Sequence, residues 1–224
     1  MTKNIMKSNT NMSLKEFVNS DWYHSGLVEH IGTLLHVASR TRDFSLVKKA
    51  IEYGAEVNKV DSEGQTALFA IGKLDTAKVL IKAGIDPNIV DSDGRTALIT
   101  IYERNPIAFR DIIEYLIPIT NLDLPEEPGK TLLFTMCKKA EGNYNMFKMV
   151  LNNTKNLNRL FKGETFLFDA GRRIKNDRIF LLLAKSGVNL YHKNVKGLDF
   201  YDCCTKENKR LIEKHLPEFV QRRK

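Results

Sequence analysis

Residues 64–69 read Gly-Gln-Thr-Ala-Leu-Phe, a helical-looking run follows from Leu74 to Lys82, and residues 83–88 read Ala-Gly-Ile-Asp-Pro-Asn. After five more residues the chain starts again as Gly-Arg-Thr-Ala-Leu-Ile at 94–99. A return after about thirty residues marks a stacked repeat array, in which each unit covers the apolar face of its neighbour. The same phase continues in both directions. One slot holds Thr33, Thr66, Thr96, Thr131 and Thr165, then Asp199, at separations of 33, 30, 35, 34 and 34 residues. Two places later stand Leu35, Leu68, Leu98, Leu133 and Leu167, then Tyr201. Two places earlier, glycine recurs at 64, 94, 129, 163 and 197, with Ile31 in the first unit.

This pattern resembles the ankyrin repeat, whose units begin Gly-x-Thr-Pro-Leu-His and end Gly-Ala-Asp-Val-Asn. The resemblance implies an all-α solenoid of stacked helix-turn-helix units with short finger loops. The expected organisation is a disordered start and N-terminal capping helix over 1–30, about five repeats over 31–197, and a degenerate capping repeat with a basic tail over 198–224. His36 falls in the slot that usually holds a structural histidine bonded to backbone. The fold alone does not assign a function, because one fold hosts many.

The chain has 224 residues, 42% of them hydrophobic, and a formal net charge of +8. That size supports one substantial domain, and the charge favours acidic partners, whether protein or nucleic acid. No apolar run reaches the 18 residues of a membrane-spanning helix, and the longest, such as Ile179 to Ala184, fit inside the repeats. The polar start lacks the apolar core of a signal peptide. Cys137, Cys203 and Cys204 suggest no disulfide framework and fit reduced thiols in a cytoplasm-like compartment. The 18 Asn and 23 Lys point to a source genome rich in A and T, such as a virus, a phage or an intracellular bacterium.

Local signals fill in the units. Ser13 and Glu16 have capping-box spacing, with Leu14, Phe17, Val18 and Trp22 expected to cover the first repeat. Thr33 is placed to cap an inner helix, and an outer helix is expected over about 44–53, ended by Gly54. The second unit is about three residues short near Gly72 to Asp75, which should shorten a helix end. Pro118 stops the third outer helix. Asn152 and Asn153 are expected to supply a left-handed end to the fourth. Arg210 to Phe219 is expected to form a helix, and 221–224 a frayed tail.

Catalytic signatures are missing. Pro128-Gly129-Lys130-Thr131 imitates a phosphate-binding loop, but the glycine required five residues earlier is Leu124. The histidines show no metal-ligand spacing, no nucleophile elbow occurs, and no cofactor motif is present. A non-catalytic protein is expected, with no metal and no cofactor.

Surface positions carry the remaining information. Seven and eight residues after the threonine slot lie Arg40 and Thr41, Lys73 and Leu74, Glu103 and Arg104, Lys138 and Lys139, Arg172 and Arg173, and Lys206 and Glu207. By phase these end the inner helices, so every unit adds at least one cation to one groove. The macrodipole favours cations there by about 0.3–1 kcal/mol each, which does not readily explain two successive doublets. The finger loops change sign from acidic (Asp61, Glu63, Asp91, Asp93, Glu126, Glu127) to basic (Arg159, Lys162, Lys193, Lys196). Phe161 either offers an apolar anchor at a fingertip or folds back on Leu157 and Leu160. The expected partner-binding residues are Arg104, Lys138, Lys139, Phe161, Lys162, Arg172, Arg173, Lys196 and Lys206. The resulting expectation is a protein-interaction module, an inhibitor or adaptor acting on a host protein in its cytoplasm or nucleus, that engages an acidic protein surface. Nucleic acid is the second partner class, weakened by the scarcity of stacking aromatics. Arg172→Glu with Arg173→Glu is expected to abolish capture without changing the melting temperature.

Overall fold

The computed structural model describes residues 34–40, 44–52, 54–124, 131–140 and 143–223. The expected N-terminal capping helix, the Thr33 cap and the Pro128–Lys130 segment lie outside them. The described residues form eleven α-helices, two short 3-10 helices and no strand. They divide into two compact units, 1–93 and 94–224.

In the first unit, α1 (Leu34–Arg40) packs on α2 (Phe44–Glu52) and on a 3-10 turn (Ala67–Ala70), and α2 packs on α3 (Leu74–Lys82). Apolar residues at helical spacing build the core: Val47 and Ala50 from α2 are buried, as are Leu35, Leu68, Ala77 and Leu80. The missing residues of the second repeat come out of its inner helix, which is reduced to four residues. As a result Lys73 is the N-cap of α3 and Leu74 its first residue. Neither ends an inner helix as expected. Outer helices stop where the chain must turn left-handed. Gly54 and Gly84 have φ of 84° and 90°, and the next amides, of Ala55 and Ile85, reach back to the carbonyls of Ala50 and Leu80 at 3.0 and 3.1 Å. Only glycine adopts that backbone without steric cost.

The second unit holds α4 (Ala97–Arg104), α5 (Arg110–Leu116), a 3-10 turn (Ile117–Ile119), α6 (Leu132–Lys139), α7 (Tyr144–Asn153), α8 (Phe166–Arg173), α9 (Asp177–Ala184), α10 (Lys206–His215) and α11 (Pro217–Arg222). The inner helix α6 packs between α4 and α8, while the outer helix α9 contacts α7 and α10. Tyr102, Met136, Phe147, Phe166, Phe180 and Phe200 fill the interior. Pro118 sits in the 3-10 turn that ends α5, as its missing amide requires.

Two helix ends differ from expectation. Helix α7 does not finish in a left-handed asparagine, because Thr154 is extended at φ −86°. Side chains satisfy its last carbonyls instead: Asn153 Nδ2 donates to Met149 O at 2.9 Å and Thr154 Oγ1 to Val150 O at 2.8 Å. Thr66, Thr96, Thr131 and Thr165 hold extended N-cap backbone without capping through their side chains, whereas Thr205 Oγ1 accepts from the Asn208 amide at 3.2 Å. The expected helix 210–219 is two, broken at Leu216 before Pro217.

The C-terminal tail is also held. Arg223 donates to Asp199 Oδ2 at 2.5 Å and to Asp202, and its guanidinium lies 4.2 Å from the Tyr201 ring centre. Phe219 stacks on Phe200 at 5.4 Å. Helix α10 seats on the end of α8 through buried Asn208, whose amide donates at 3.0 Å to the carbonyls of both Gly171 and Ile174.

Close packing makes Gly171 a sensitive position. A Cβ there would stand 2.6 Å from Cys204 Sγ. Gly171→Ala is expected to destabilise the protein by about 1–3 kcal/mol, the usual cost of overpacking. Urea denaturation of the single variants and of Gly171→Ala with Cys204→Ala checks this. The double variant should lose less than the two singles together.

Candidate functional site

The sequence phase places cations at the ends of inner helices, and within residues 94–224 three helices obey it. Arg104 ends α4, Lys138 and Lys139 end α6, and Arg172 and Arg173 end α8. Because α6 lies between α4 and α8, these residues form one row. Helix ends leave carbonyls without partners, and one lysine uses them: Lys139 Nζ donates to Glu103 O at 3.0 Å, tying α6 to α4. Lys138 is exposed. The Arg104 guanidinium lies 5.6 Å from the Phe109 ring centre.

The arginine pair is less available than its sequence suggests. Arg172 forms a two-pronged pair with Glu164, both bonds 2.6 Å, and approaches Asp169 at 4.0 Å. Arg173 Nε is 3.5 Å from Asp169. Glu164 also accepts from Asn194 Nδ2 at 2.8 Å. The hydrogen bond from Arg172, opposed by partial burial and helped by Asn194, holds the Glu164 carboxyl below the usual glutamate range. The same bond raises the Arg172 pKa. Reversing both arginines would therefore set new carboxylates beside Glu164 and Asp169, and the melting temperature would fall rather than stay constant.

Beside the row lies the finger 161–164. Phe161 and Glu164 exchange backbone hydrogen bonds of 2.8 and 3.0 Å. Between them Lys162 and Gly163 both have positive φ, 52° and 77°. This is the two-residue type I′ turn, which a lysine occupies at some cost. It points the chain so that the half-buried Phe161 ring meets Phe134 edge-on at 6.3 Å. Phe161 thus packs on α6 instead of standing free at the fingertip. Lys162 and Lys196 are exposed, and Lys196 is near enough to Glu164 to help lower its pKa. Arg159, expected at this tip, donates to the Asp123 carbonyl.

Lys206 does not join the row. The last inner segment is turn rather than helix, so Lys206 opens α10 instead of closing an inner helix. The residues that the threonine phase missed are Glu164, Asp169 and Asn194. Asp169 was within reach of sequence reasoning, since it stands three and four residues before Arg172 and Arg173 on one helix face. Glu164 and Asn194 come from separate fingers, and only the fold brings Glu164 to Arg172 and Asn194 to Glu164.

The acids of the early fingers have local work. Asp61 Oδ1 accepts from the amides of Glu63 and Gln65 at 2.9 and 3.0 Å, and Asp91 Oδ1 from that of Asp93 at 3.1 Å. His36 Nε2 donates to Gln65 O at 2.7 Å, and burial lowers its pKa against the pull of that bond. It is a structural imidazole. Among the described residues no cluster of three potential metal ligands occurs.

Residues 34–117 match the family model of ankyrin repeats, in three copies. The chain resembles the ankyrin-repeat family over that stretch, 84 of its 224 residues. Its fold is also that of solved ankyrin-repeat structures. An ankyrin repeat domain from Acinetobacter baumannii superposes with a TM-score of 0.69 at 22% identity, covering 83% of this chain and 97% of that one. The ankyrin repeat domain of Bcl-3, of the IkappaB family, gives 0.67 at 21%, covering 90% and 92%. A chain from the complex of a Bdellovibrio bacteriovorus predatory endopeptidase with its immunity protein gives 0.62 at 25%, covering 86% and 99%. No match was found among the curated proteins. Ankyrin repeats are protein-interaction modules, so protein binding is the coarse function of this fold. No helix among the described residues is long and apolar enough to cross a membrane.

The Arg172–Glu164 pair has a pH signature. A carboxyl held low contributes stability above the unperturbed glutamate value of about 4.3. That stability is lost as pH falls through the lower folded value. Glu164→Gln is expected to cost about 0.2–1 kcal/mol at neutral pH, as partly exposed pairs do. Thermal melts of the two proteins should converge in acid.

Proposed function

We propose that this protein binds, without catalysis, a protein that presents an acidic surface to the ends of α4, α6 and α8 and the neighbouring fingers. The observation that carries this is the exposed doublet Lys138 and Lys139 in a setting of excess positive charge. Lys138, Lys139, Lys162, Arg172, Arg173 and Lys196 stand against two carboxylates, Glu164 and Asp169.

The bonds that tie Arg172 down also support the reading. A guanidinium already locked in place loses little side-chain freedom when a partner arrives. Mixed charge supports specificity, because both signs fix the register of a partner. The similar fold of a chain from an endopeptidase–immunity protein complex is the ground for proposing an inhibitor or adaptor. The Asn- and Lys-rich composition is the ground for placing it in a host cytoplasm or nucleus. Protein is preferred over nucleic acid because Phe161, an aromatic beside the row, packs edge-on with Phe134 and lies under the Lys162 ammonium, 5.2 Å from its ring centre.

The test uses Lys138→Glu with Lys139→Glu, which leaves the arginine pairs intact. The wild type, immobilised, should retain a discrete protein from host lysate at low salt, and the variant should lose it by tenfold or more, about 1.4 kcal/mol. Melting temperatures should stay within a few degrees, since exposed substitutions are usually worth about 0.5 kcal/mol or less. Equal retention by both proteins would remove the basic row from the interface. Oligonucleotide binding with a steep salt slope would assign the row to nucleic acid.

A further inference from the structure

The outer side of the second unit carries a surface that the basic row does not use. Helix α9 reads Asp-Arg-Ile-Phe-Leu-Leu-Leu-Ala. Ile179, Phe180, Leu183 and Ala184 are buried, so the core takes one face of the helix. Leu181 and Leu182 fall on the other face, and both are half-buried. A helix that is apolar all round is normally covered on all sides. Next to it, α7 buries Met146, Phe147 and Val150 and leaves Leu151 half-buried. Between the two helices runs a trough of about 520 Å³ with Leu151, Leu157, Leu181 and Leu182 along it.

Charge around the trough has one sign. Lys148, Arg178 and Lys185 line it, and no carboxylate does. Arg178 is anchored over the Tyr144 ring, 5.0 Å from its centre. None of these three cations forms an ion pair among the described residues. Every lining residue is half-buried or exposed, so the trough is open along its length. It cannot enclose the 70–90% of a small ligand's surface (about that share) typical of such sites. An open channel with a leucine floor and a cationic rim matches an amphipathic helix laid lengthwise, with apolar anchors at i, i+3 or i+4, and i+7 and carboxylates on its flanks.

The geometry points to a second docking site, between α7 and α9, for an acidic amphipathic helix of a partner protein. It is independent of the basic row on the inner helices.

A displayed library of helical peptides of about 15 residues, selected on the full-length protein, tests it. Enriched peptides should carry the apolar spacing with Asp or Glu beside it. Leu182→Ser should weaken the best of them about tenfold or more, the scale of one hot-spot side chain. Because that variant alters a half-buried residue, Lys148→Glu with Lys185→Glu provides a second reading on an unchanged floor. It should reject the acidic peptides and select basic ones in their place. Lys138→Glu with Lys139→Glu should leave selection unchanged, whatever becomes of the basic row. No enrichment, enrichment without charge preference, or peptides indifferent to the Lys148/Lys185 reversal would overturn the proposal. So would self-association abolished by Leu182→Ser without peptide binding, or binding to phosphatidylserine vesicles in place of peptides.

Discussion

Asn58 reaches from one finger to the next and holds its backbone at two points, accepting from the Asp86 amide at 2.7 Å and donating to the Gly84 carbonyl at 3.2 Å. The second unit repeats the device. Asn158 accepts from the Asn189 amide at 2.7 Å, and Asp123 accepts from those of Lys155 and Asn156 at 3.1 Å each. Apolar contact between helix pairs supplies most of the stabilisation, but it has no direction. These side-chain bonds to backbone set how far one repeat may slide on the next. These backbone groups lie on exposed loop residues outside any helix ladder, and the neighbouring repeat partners them.

Fixed stacking is what turns a sequence phase into a surface. Glu164 leaves one finger and Asn194 the next, and the Glu164 carboxylate accepts from both Asn194 and Arg172 at the end of α8. His192 Nε2 donates to the Gly163 carbonyl at 2.8 Å, across the same two fingers. The turn at Lys162 and Gly163, the anchored Phe161 ring and the paired guanidinium are consequences of one register. A slip of one residue would separate all of them.

The helix pattern was legible because threonine, leucine and glycine mark chemically distinct points of a repeat: its start, its core and its left-handed turns. Outer helices α2 and α3 follow from leucine and valine spacing and the glycines behind them. Legibility failed where side chains replaced backbone geometry. Thr154 and Asn153 end α7 by donating to carbonyls, and nothing in their spacing distinguishes that from a left-handed asparagine. It failed also where the phase outlived the helix. Lys206 keeps its count from Asp199, yet the segment between them is turn, so the count no longer predicts a direction. Lys73 moved for a related reason, since a four-residue inner helix ends before the slot is reached. The candidate site was half legible. The cations at helix ends are read directly, and Asp169 lies on their own helix face, but Glu164 and the Asn194 that supports it come from two fingers thirty residues apart.

The two sides of a helix pair ask different things of the sequence. At the end of an inner helix the free carbonyls attract cations whatever the partner, so a cation there is weak information until its neighbours are known. Lys139 illustrates this, because it bonds the very carbonyl that the dipole argument invokes. Lys138 makes no such bond among the described residues, and Arg172 carries a paired acid that a purely electrostatic cap would not need. On the outer side the logic reverses. No backbone group calls for Leu181 and Leu182, and leucine exposed to water gains nothing from the helix that carries it. Residues without an internal cause for their chemistry are the ones whose cause must be sought outside the chain, and in this protein they lie at Lys138 on one side and at the leucines of α9 on the other.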